Sequence, residues 1–276
     1  MTTYLVYALI HGFTQILPVG GDAHLMLISH FLGWPHPEGF FLGGLFFATT
    51  LALLVYFRHD WASIFSSFLQ VIIYRKRPMT LDERLLFFLT LVSIFPAVIW
   101  TNFREPIAEF FVDPIWTALS VAVFTVPLWI VDYTGRKTKG MFDWNWVDCI
   151  WVGIGECLLF IPGCGPLFGC VMMALFRNYS REAALKFSFY SVTPVMGAWA
   201  YSLLHDFSFK LAAPVPGMSW LTFVVACLVA FFASLLAVGG LMGHIQRRGL
   251  NQYVAYRFII GIAGALVIWL KARQMI

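Results

Sequence analysis

Six stretches of this sequence are almost free of charge and long enough to cross a lipid bilayer as helices, which takes about 20 residues each. They cover residues 39–58, 84–101, 115–132, 184–204, 219–242 and 254–272. Only 12% of the 276 residues are charged, whereas about a quarter are charged in a soluble domain. The pattern predicts an all-α integral membrane protein with six transmembrane helices.

The basic residues predict which loops face the cytoplasm, where lysine and arginine are enriched. If loop 59–83 is cytoplasmic, alternation of the six spans makes loops 133–146, 177–183 and 243–253 cytoplasmic as well. Eleven basic residues then lie on that side and four on the other. The eleven are Arg58, Arg75, Lys76, Arg77, Arg136, Lys137, Lys139, Arg177, Arg181, Arg247 and Arg248, and the four are Arg104, Lys210, Lys271 and Arg273. The net charge of +4 therefore indicates topology rather than nucleic-acid binding.

Two further apolar stretches are interrupted by proline and glycine. Residues 3–33 are broken at 18–22 (Pro-Val-Gly-Gly-Asp), and residues 147–176 are broken at 162–166 (Pro-Gly-Cys-Gly-Pro). Proline ends a helix and glycine accepts the dihedral angles of a tight tip. Both ends of stretch 147–176 lie on the cytoplasmic side in the predicted topology, so we expect two re-entrant helical hairpins that enter from opposite faces.

The order of these elements predicts an inverted repeat within one membrane domain, 1–276. Its first half is 1–132, with hairpin 3–33, and its second half is 147–276, with hairpin 147–176. Repeats of this kind place the binding site near the bilayer midplane, where the two tips meet. The alternative, two ordinary kinked helices, breaks the alternation of charge.

Polar side chains in the two hairpins are candidate functional residues because ionisable groups are costly at membrane depth. His11 and Gln15 are four residues apart and share a helix face, while Asp22 and His24 flank the first tip. Glu156 lies in the second hairpin without a basic neighbour in sequence, and we expect Gln15 or His11 as its partner. Two simpler roles stay open: His11 as a helix-packing residue and Asp22 as a helix cap.

The glycines of the tips leave backbone amides unshielded. We expect Gly20, Gly21, Gly163, Cys164 and Gly165 to bind an anion such as a lipid phosphate, because helix N-termini and amide nests favour negative charge. The five cysteines have no spacing typical of a zinc site and are read as small buried apolar residues.

The tips themselves carry little of what phosphoryl transfer requires. No arginine or lysine lies in either tip, and no carboxylate pair at helical spacing is ready to hold a hard cation. We therefore expect no metal or other cofactor. His24 remains a candidate base or nucleophile, oriented by Asp22.

These motifs resemble the bacterial undecaprenyl-pyrophosphate phosphatase family, also called the bacitracin-resistance family. Segment 11–24 is similar to the family's first motif and keeps five of its residues, Gly12, Thr14, Pro18, Val19 and His24. Segments 51–60 and 180–189 are similar to the family as well, and segment 162–168 occupies the place of its second motif, Pro-Gly-x-Ser-Arg-Ser-Gly. The resemblance implies six spans, two re-entrant hairpins, a polyprenyl diphosphate substrate, magnesium or calcium, and a bacterial inner membrane.

The resemblance also implies which functional positions are substituted. The two glutamates of the family fall on His11 and Gln15, and the serines of the first motif fall on Gly20 and Gly21. The Ser-Arg-Ser of the second tip falls on Gly165, Pro166 and Leu167, and a family glutamine is replaced by Glu156. We therefore expect little or no diphosphatase activity.

Three functions remain as hypotheses. The first is a carrier that binds a polyprenyl phosphate or diphosphate and moves it between leaflets, coupled to protons through Glu156, His11 and His24. The second is a phosphatase with rearranged catalytic groups, His24 and Asp22. The third is a regulatory pseudoenzyme of cell-envelope (peptidoglycan) synthesis, which would co-purify with another protein. A homodimer stays open in each case.

Overall fold

The computed structural model describes residues 1–111, 113–205 and 218–273, without the side chains of residues 104, 105, 108 and 246–248. Lys210 and the side chains of Arg104, Arg247 and Arg248, which entered the predicted charge count, lie outside this part. The described residues form α-helices and two short 3-10 helices, with no strand beyond one isolated bridge between Lys139 and Tyr179. The α-helices are α1 (Thr2–Ile16), α2 (Gly21–Leu32), α3 (Gly39–Tyr56), α4 (Arg58–Ile73), α5 (Leu81–Phe110), α6 (Pro114–Thr134), α7 (Trp146–Glu156), α8 (Pro166–Phe176), α9 (Arg181–His205), α10 (Trp220–Arg248) and α11 (Asn251–Ala272).

Five of the described helices are long and apolar enough to cross a membrane. They are α3, the Leu81–Phe103 part of α5, α6, the Trp220–Ile245 part of α10, and α11. The predicted all-α, multi-pass membrane protein is thus confirmed. The predicted sixth span, 184–204, coincides with α9, which is long enough but more polar: its Ser188, Ser191 and Thr193 are buried against other helices.

Each interrupted stretch folds as two short helices joined by a tip. In the first, α1 and α2 flank residues 17–20, and Gly20 has φ +87°. In the second, α7 continues into a 3-10 helix (Cys157–Phe160), and α8 begins at Pro166 after Gly163 (φ +101°) and Gly165 (φ +72°). Positive φ is accessible to glycine at little cost, which explains where the helices stop.

The two halves of the chain interlock. Helix α1 packs on α10, α3 on both α9 and α10, α5 on α7, and α6 on α11. Small residues permit these close crossings, as is common between membrane helices. At four glycines a Cβ atom would collide with the helix that faces them. Gly12 of α1 and Gly44 of α3 face α10, Gly153 of α7 faces α5, and Gly261 of α11 faces α6.

A buried carboxylate connects the second hairpin, at the end away from its tip, to the neighbouring loops. Asp148, on α7, is fully buried and accepts hydrogen bonds from Lys139 Nζ (2.9 Å), Arg177 Nε (2.5 Å) and Tyr179 Oη (2.6 Å). Trp144 stacks on the Tyr179 ring at 3.8 Å between centroids. The hairpin is therefore anchored by charge at one end and by backbone contact at its tip.

We expect Asp148→Ala to lower the thermal unfolding midpoint of the detergent-solubilised protein, because it removes the shared acceptor of two partly buried cations, a loss of about 3 kcal/mol. Asp60→Ala is the matched control, since its pair with Lys186 (3.1 Å) is far more exposed and contributes under about 1 kcal/mol. Equal shifts for the two variants would contradict the anchoring role of Asp148.

Candidate functional site

The two tips meet backbone to backbone. A Cβ atom on Gly20 would overlap the carbonyl group of Gly163, and one on Gly165 would lie 3.5 Å from the Cα atom of Gly20. The Ser120 hydroxyl, on α6, donates to the Pro162 carbonyl oxygen and holds the second tip in place. The structure thus brings together four of the predicted anion-binding glycines and their neighbour Cys164, which is buried.

Arg257 reaches this junction from α11 and was missed by the sequence analysis. Its side chain is fully buried, and its guanidinium lies over the Phe168 ring at 4.2 Å, one turn beyond the second tip. Its Nε donates to Thr125 Oγ1 (2.8 Å) and its Nη2 to the Val121 carbonyl oxygen (3.2 Å), while Nη1 has no hydrogen-bond partner among the described residues. A cation therefore lies where neither tip sequence contains one.

A signal for Arg257 was present in the sequence. It is a charged residue inside a predicted span, 254–272, and such residues are functional candidates by default.

His24 is held by two hydrogen bonds. Its Nδ1 pairs with the Gly20 carbonyl oxygen (2.7 Å) and its Nε2 with the Tyr256 hydroxyl (2.8 Å), and the two rings are nearly parallel. Our expectation that Asp22 orients His24 was wrong, because α2 turns the Asp22 side chain toward α1. Tyr256 precedes Arg257 on α11, so one turn of α11 supplies both residues to the tips.

Asp22 and Gln15 form a pair across the first hairpin, with Gln15 Nε2 donating to Asp22 Oδ1 (2.6 Å). Asp22 does not cap α2. The N-cap residue of this helix is Gly20, which has no side chain that could accept a hydrogen bond from the first backbone amides. Gly21 makes room for this pair, since a Cβ atom there would lie 2.6 Å from the Gln15 amide carbon.

Glu156, the last residue of α7, and His11, on α1, are both fully buried. The Ser191 hydroxyl, on α9, donates to Glu156 Oε1 (2.9 Å), and Oε2 has no hydrogen-bond partner among the described residues. The expected pairing of Glu156 with Gln15 or His11 was therefore wrong, since Ser191 is its partner and Gln15 donates to Asp22 instead. His11 makes an edge-to-face contact with Phe46 (4.8 Å), and neither of its ring nitrogens is hydrogen-bonded within the described part of the chain.

A cavity of about 230 Å³ opens beside the tips. Asp22 of the first hairpin and Pro162 of the second tip both line it, and apart from Asp22 and His36 its wall is mainly apolar. The wall residues include Leu25, His36, Leu42, Trp100, Ile107, Leu159, Phe160 and Trp199. The tip junction is thus reached through a hydrocarbon-like space, which fits an amphiphilic ligand.

The residues at the tips do not fit magnesium or calcium, the ions implied by the resemblance. Hard cations prefer several carboxylate or carbonyl oxygens, but Asp22 is the one carboxylate at the described tips and is bonded to Gln15. No group of three or more His, Cys, Asp or Glu side chains able to hold a metal occurs in the described part of the chain.

We expect Gly20→Ala to destabilise the protein more than Gly33→Ala does. Both glycines have positive φ, which costs another residue about 1–2 kcal/mol, but a Cβ atom on Gly33 meets nothing within 4 Å. Overlap with Gly163 adds about 1–3 kcal/mol for Gly20 alone. Thermal unfolding in detergent measures the difference, and equal losses would show that the tips are not in contact.

Comparison with known proteins agrees with the resemblance in the sequence. Residues 4–263 match the family described as Bacitracin resistance protein BacA. Curated relatives include Undecaprenyl-diphosphatase 1 of Pseudoalteromonas translucida, 26% identical over 94% of this chain and 95% of its own. The undecaprenyl-diphosphatases of Moorella thermoacetica (28%, 97% of each chain) and Pelobacter propionicus (30%, 95% of this chain and 94% of its own) are similar. This chain belongs to the BacA family and is a multi-pass protein of the bacterial inner membrane.

Proposed function

We propose that this protein binds the phosphate-bearing head of a polyprenyl lipid between its two tips and moves the lipid between leaflets. The observation that carries the proposal is Arg257, a buried guanidinium with an unpaired nitrogen beside the tip glycines. The names of the curated relatives indicate the lipid class, because each is an undecaprenyl-diphosphatase.

An anionic ligand accounts for the unpaired charge. A buried cation without a counter-ion costs several kcal/mol, so such groups are normally paired (~3–5 kcal/mol when a partner is missing). The contacts that the structure describes for Arg257 are with neutral groups, namely the Thr125 hydroxyl, the Val121 carbonyl and the Phe168 ring. Helices α2 and α8 both begin at the tips, so their N-terminal amides add positive potential on the other side.

The packing supports an inverted repeat with halves 1–132 and 147–276. A two-fold axis in the membrane plane would exchange α1 with α7, α3 with α9, α5 with α10 and α6 with α11. The observed contacts agree, since α1 on α10 mirrors α7 on α5, while the α3–α9 and α6–α11 contacts map onto themselves. We infer that α9 is the sixth span and that hairpins 3–33 and 147–176 are re-entrant from opposite faces.

The residues around the head-group site favour lipid transport over hydrolysis. The family's glutamates and tip serines are replaced here by His11, Gln15, Gly20 and Gly21, so the groups at these positions cannot act as carboxylate or hydroxyl nucleophiles. Glu156 and His11 have unpaired atoms in the protein interior, and buried titratable groups of this kind serve proton relays in transporters.

A phosphatase is the second candidate, and the contact between His24 and α11 favours it. His24 is hydrogen-bonded to Gly20 and to Tyr256, the residue before Arg257 on α11. In a diphosphate bound at the tips, this imidazole would attack the terminal phosphorus and displace the lipid monophosphate, with water then releasing the phosphate from the histidine, or it would take a proton from a water that attacks there, while Arg257 stabilises the developing charge. The electrostatic support that the tips lack in sequence would then come from α11.

We expect Arg257→Met to weaken binding of undecaprenyl phosphate in nanodiscs by about 10–100-fold, the equivalent of one or two charge-assisted hydrogen bonds. Its thermal unfolding midpoint without lipid should stay equal or rise, because an unpaired buried charge is removed. Arg257→Lys keeps the charge but loses the planar fork and should bind with intermediate affinity.

Arg273→Met is the control for this experiment. It removes the same charge from the residue that follows α11, where Arg273 is exposed and stacks on Trp269. Equal binding by Arg257→Met and Arg273→Met would contradict the head-group site.

Liposomes distinguish the carrier from the phosphatase. We expect lipid transfer between leaflets without phosphate release from undecaprenyl diphosphate, and we expect His24→Ala and Glu156→Gln to slow transfer by at least about tenfold, a barrier change of roughly 1.4 kcal/mol. Transfer that both variants leave unchanged would refute the carrier. Release that requires His24 would place the phosphatase first.

A further inference from the structure

Helix α4 crosses the ends of two neighbouring helices at one boundary of the membrane. It follows α3, a candidate span, with one residue between them. Its Ser63 hydroxyl donates to Asp82 Oδ2 (2.8 Å), and its Phe68 ring packs on the Phe87 ring (5.3 Å between centroids). Both partners lie in the first two turns of the candidate span in α5, Leu81–Phe103. Helix α4, which is too short to be a candidate span itself, therefore lies where α3 ends and α5 begins.

The surface of α4 divides into three strips along its length, because residues three, four and seven apart share a helix face. The strip that packs on the protein is apolar and consists of Trp61, Ile64, Phe68 and Val71. A second strip is polar and consists of His59, Ser63, Ser66, Ser67 and Gln70. A third strip, which we call the exposed strip, is apolar although its side chains are between 49% and 68% exposed, and it consists of Phe65, Leu69, Ile72 and Ile73.

Three surroundings account for the three strips. The buried strip contacts protein and the polar strip contacts water, so neither requires a third, apolar surface on the same helix. A helix that lies in the plane of the membrane boundary has such a surface, because its apolar side enters the region between head groups and acyl chains. The position of α4 at the ends of α3 and α5 agrees with this arrangement.

A loop of defined shape presents two arginines at the end of the exposed strip. One carboxylate oxygen of Glu83 accepts from the Thr80 backbone amide (3.1 Å), and the other pairs with Lys76 Nζ (2.6 Å). Arg75 and Arg77, on either side of Lys76, are exposed, and neither forms an ion pair with a carboxylate of the described residues. The loop thus holds Lys76 inward and leaves the two guanidinium groups for another anion.

The other carboxylates near α4 already have partners. Asp60 pairs with Lys186 (3.1 Å), and Asp82 accepts from Ser63. The charges of Arg75 and Arg77 are therefore uncompensated within the described structure. Both lie in loop 59–83, which the charge pattern places on the cytoplasmic side, and the cytoplasmic leaflet carries anionic lipids that attract basic residues next to a membrane helix.

We propose that Arg75 and Arg77 bind the head groups of anionic phospholipids while the exposed strip of α4 enters the acyl region of the same leaflet. The planar guanidinium group suits this role, since it can donate two parallel hydrogen bonds to one phosphate. The ligand is a phospholipid of the surrounding membrane. The inference does not depend on the proposed function, because none of these residues lies at the tips.

The double variant Arg75→Gln/Arg77→Gln tests the head-group contacts, and Arg75→Lys/Arg77→Lys is its charge-conserving control. Each protein is titrated in detergent with anionic phosphatidylglycerol or with zwitterionic phosphatidylcholine, and the bound lipids are counted by native mass spectrometry. The glutamine variant is also made in the Arg257→Met background, which removes the cation at the tips. Because both arginines are exposed, the thermal unfolding midpoint without lipid should stay that of the parent.

We expect the glutamine variant to bind phosphatidylglycerol about 10–30-fold more weakly, since each arginine next to an anionic lipid contributes about fivefold. Phosphatidylcholine binding should stay unchanged, the lysine variant should keep most of the affinity, and the loss should be the same in the Arg257→Met background. Unchanged phosphatidylglycerol binding, or equal loss of both lipids, would overturn the proposal. A loss that vanishes in the Arg257→Met background would place the lipid at the tips and overturn it as well.

A second experiment tests the exposed strip in nanodiscs that hold one copy of the protein. Leu69→Cys and Gln70→Cys are adjacent and exposed, but they lie on the exposed strip and on the polar strip, respectively. Each is treated with a membrane-impermeant maleimide, and the parent, whose five cysteines are buried or half-buried, gives the background. We expect Gln70→Cys to react at least about tenfold faster, a difference of roughly 1.4 kcal/mol in barrier. Equal rates would leave the strip in water, or covered only by another protein, and would overturn the proposal.

Discussion

The backbone contact between Gly20 and Gly163 is the constraint on which the rest of the structure depends. Two helices stop near the middle of the protein, and their free amide and carbonyl groups cannot turn to lipid, because lipid offers no hydrogen bonds. The tips are therefore enclosed by protein, with Ser120 bonded to Pro162 and Val121 against Gly163. The same enclosure brings the N-termini of α2 and α8 to one point, where their backbone amides add positive potential.

Arg257 shows how this site can keep a charge that its tips have lost. A phosphate site in a low-dielectric interior needs a cation close to the anion, but the cation need not come from the loop that cradles it. Here α11 supplies it across the α6–α11 contact, where Gly261 allows the two helices to approach and Thr125 fixes the guanidinium. The resemblance implies a family arginine at the position of Pro166, and Arg257 supplies a cation next to the second tip from another helix.

Local patterns predicted the fold well and the site in part. The helix breaks at Pro18–Gly20 and Pro162–Gly165 were predictable because proline and glycine act on their own backbone. The pairing of Gln15 with Asp22 lies within one hairpin, yet it was missed because it depends on the angle between two short helices. The contacts of His24 with Tyr256 and of Glu156 with Ser191 join residues far apart in the chain. Such contacts are set by helix packing, which no spacing in one sequence contains.

The difference between the α3–α10 and α5–α9 contacts bears on which function the fold performs. An enzyme that takes its lipid from one leaflet and returns the product there needs one opening. A carrier needs two, used in turn, and the inverted repeat proposed above would provide them as equivalent contacts on opposite sides. A cavity of about 320 Å³ lined by Pro96 and Pro194 lies between α5 and α9, whereas the α3–α10 contact is closed by Gly44 against Phe223. The carrier and the phosphatase therefore differ physically in whether the α3–α10 contact ever separates, because only transfer to the other leaflet requires the closed side to open.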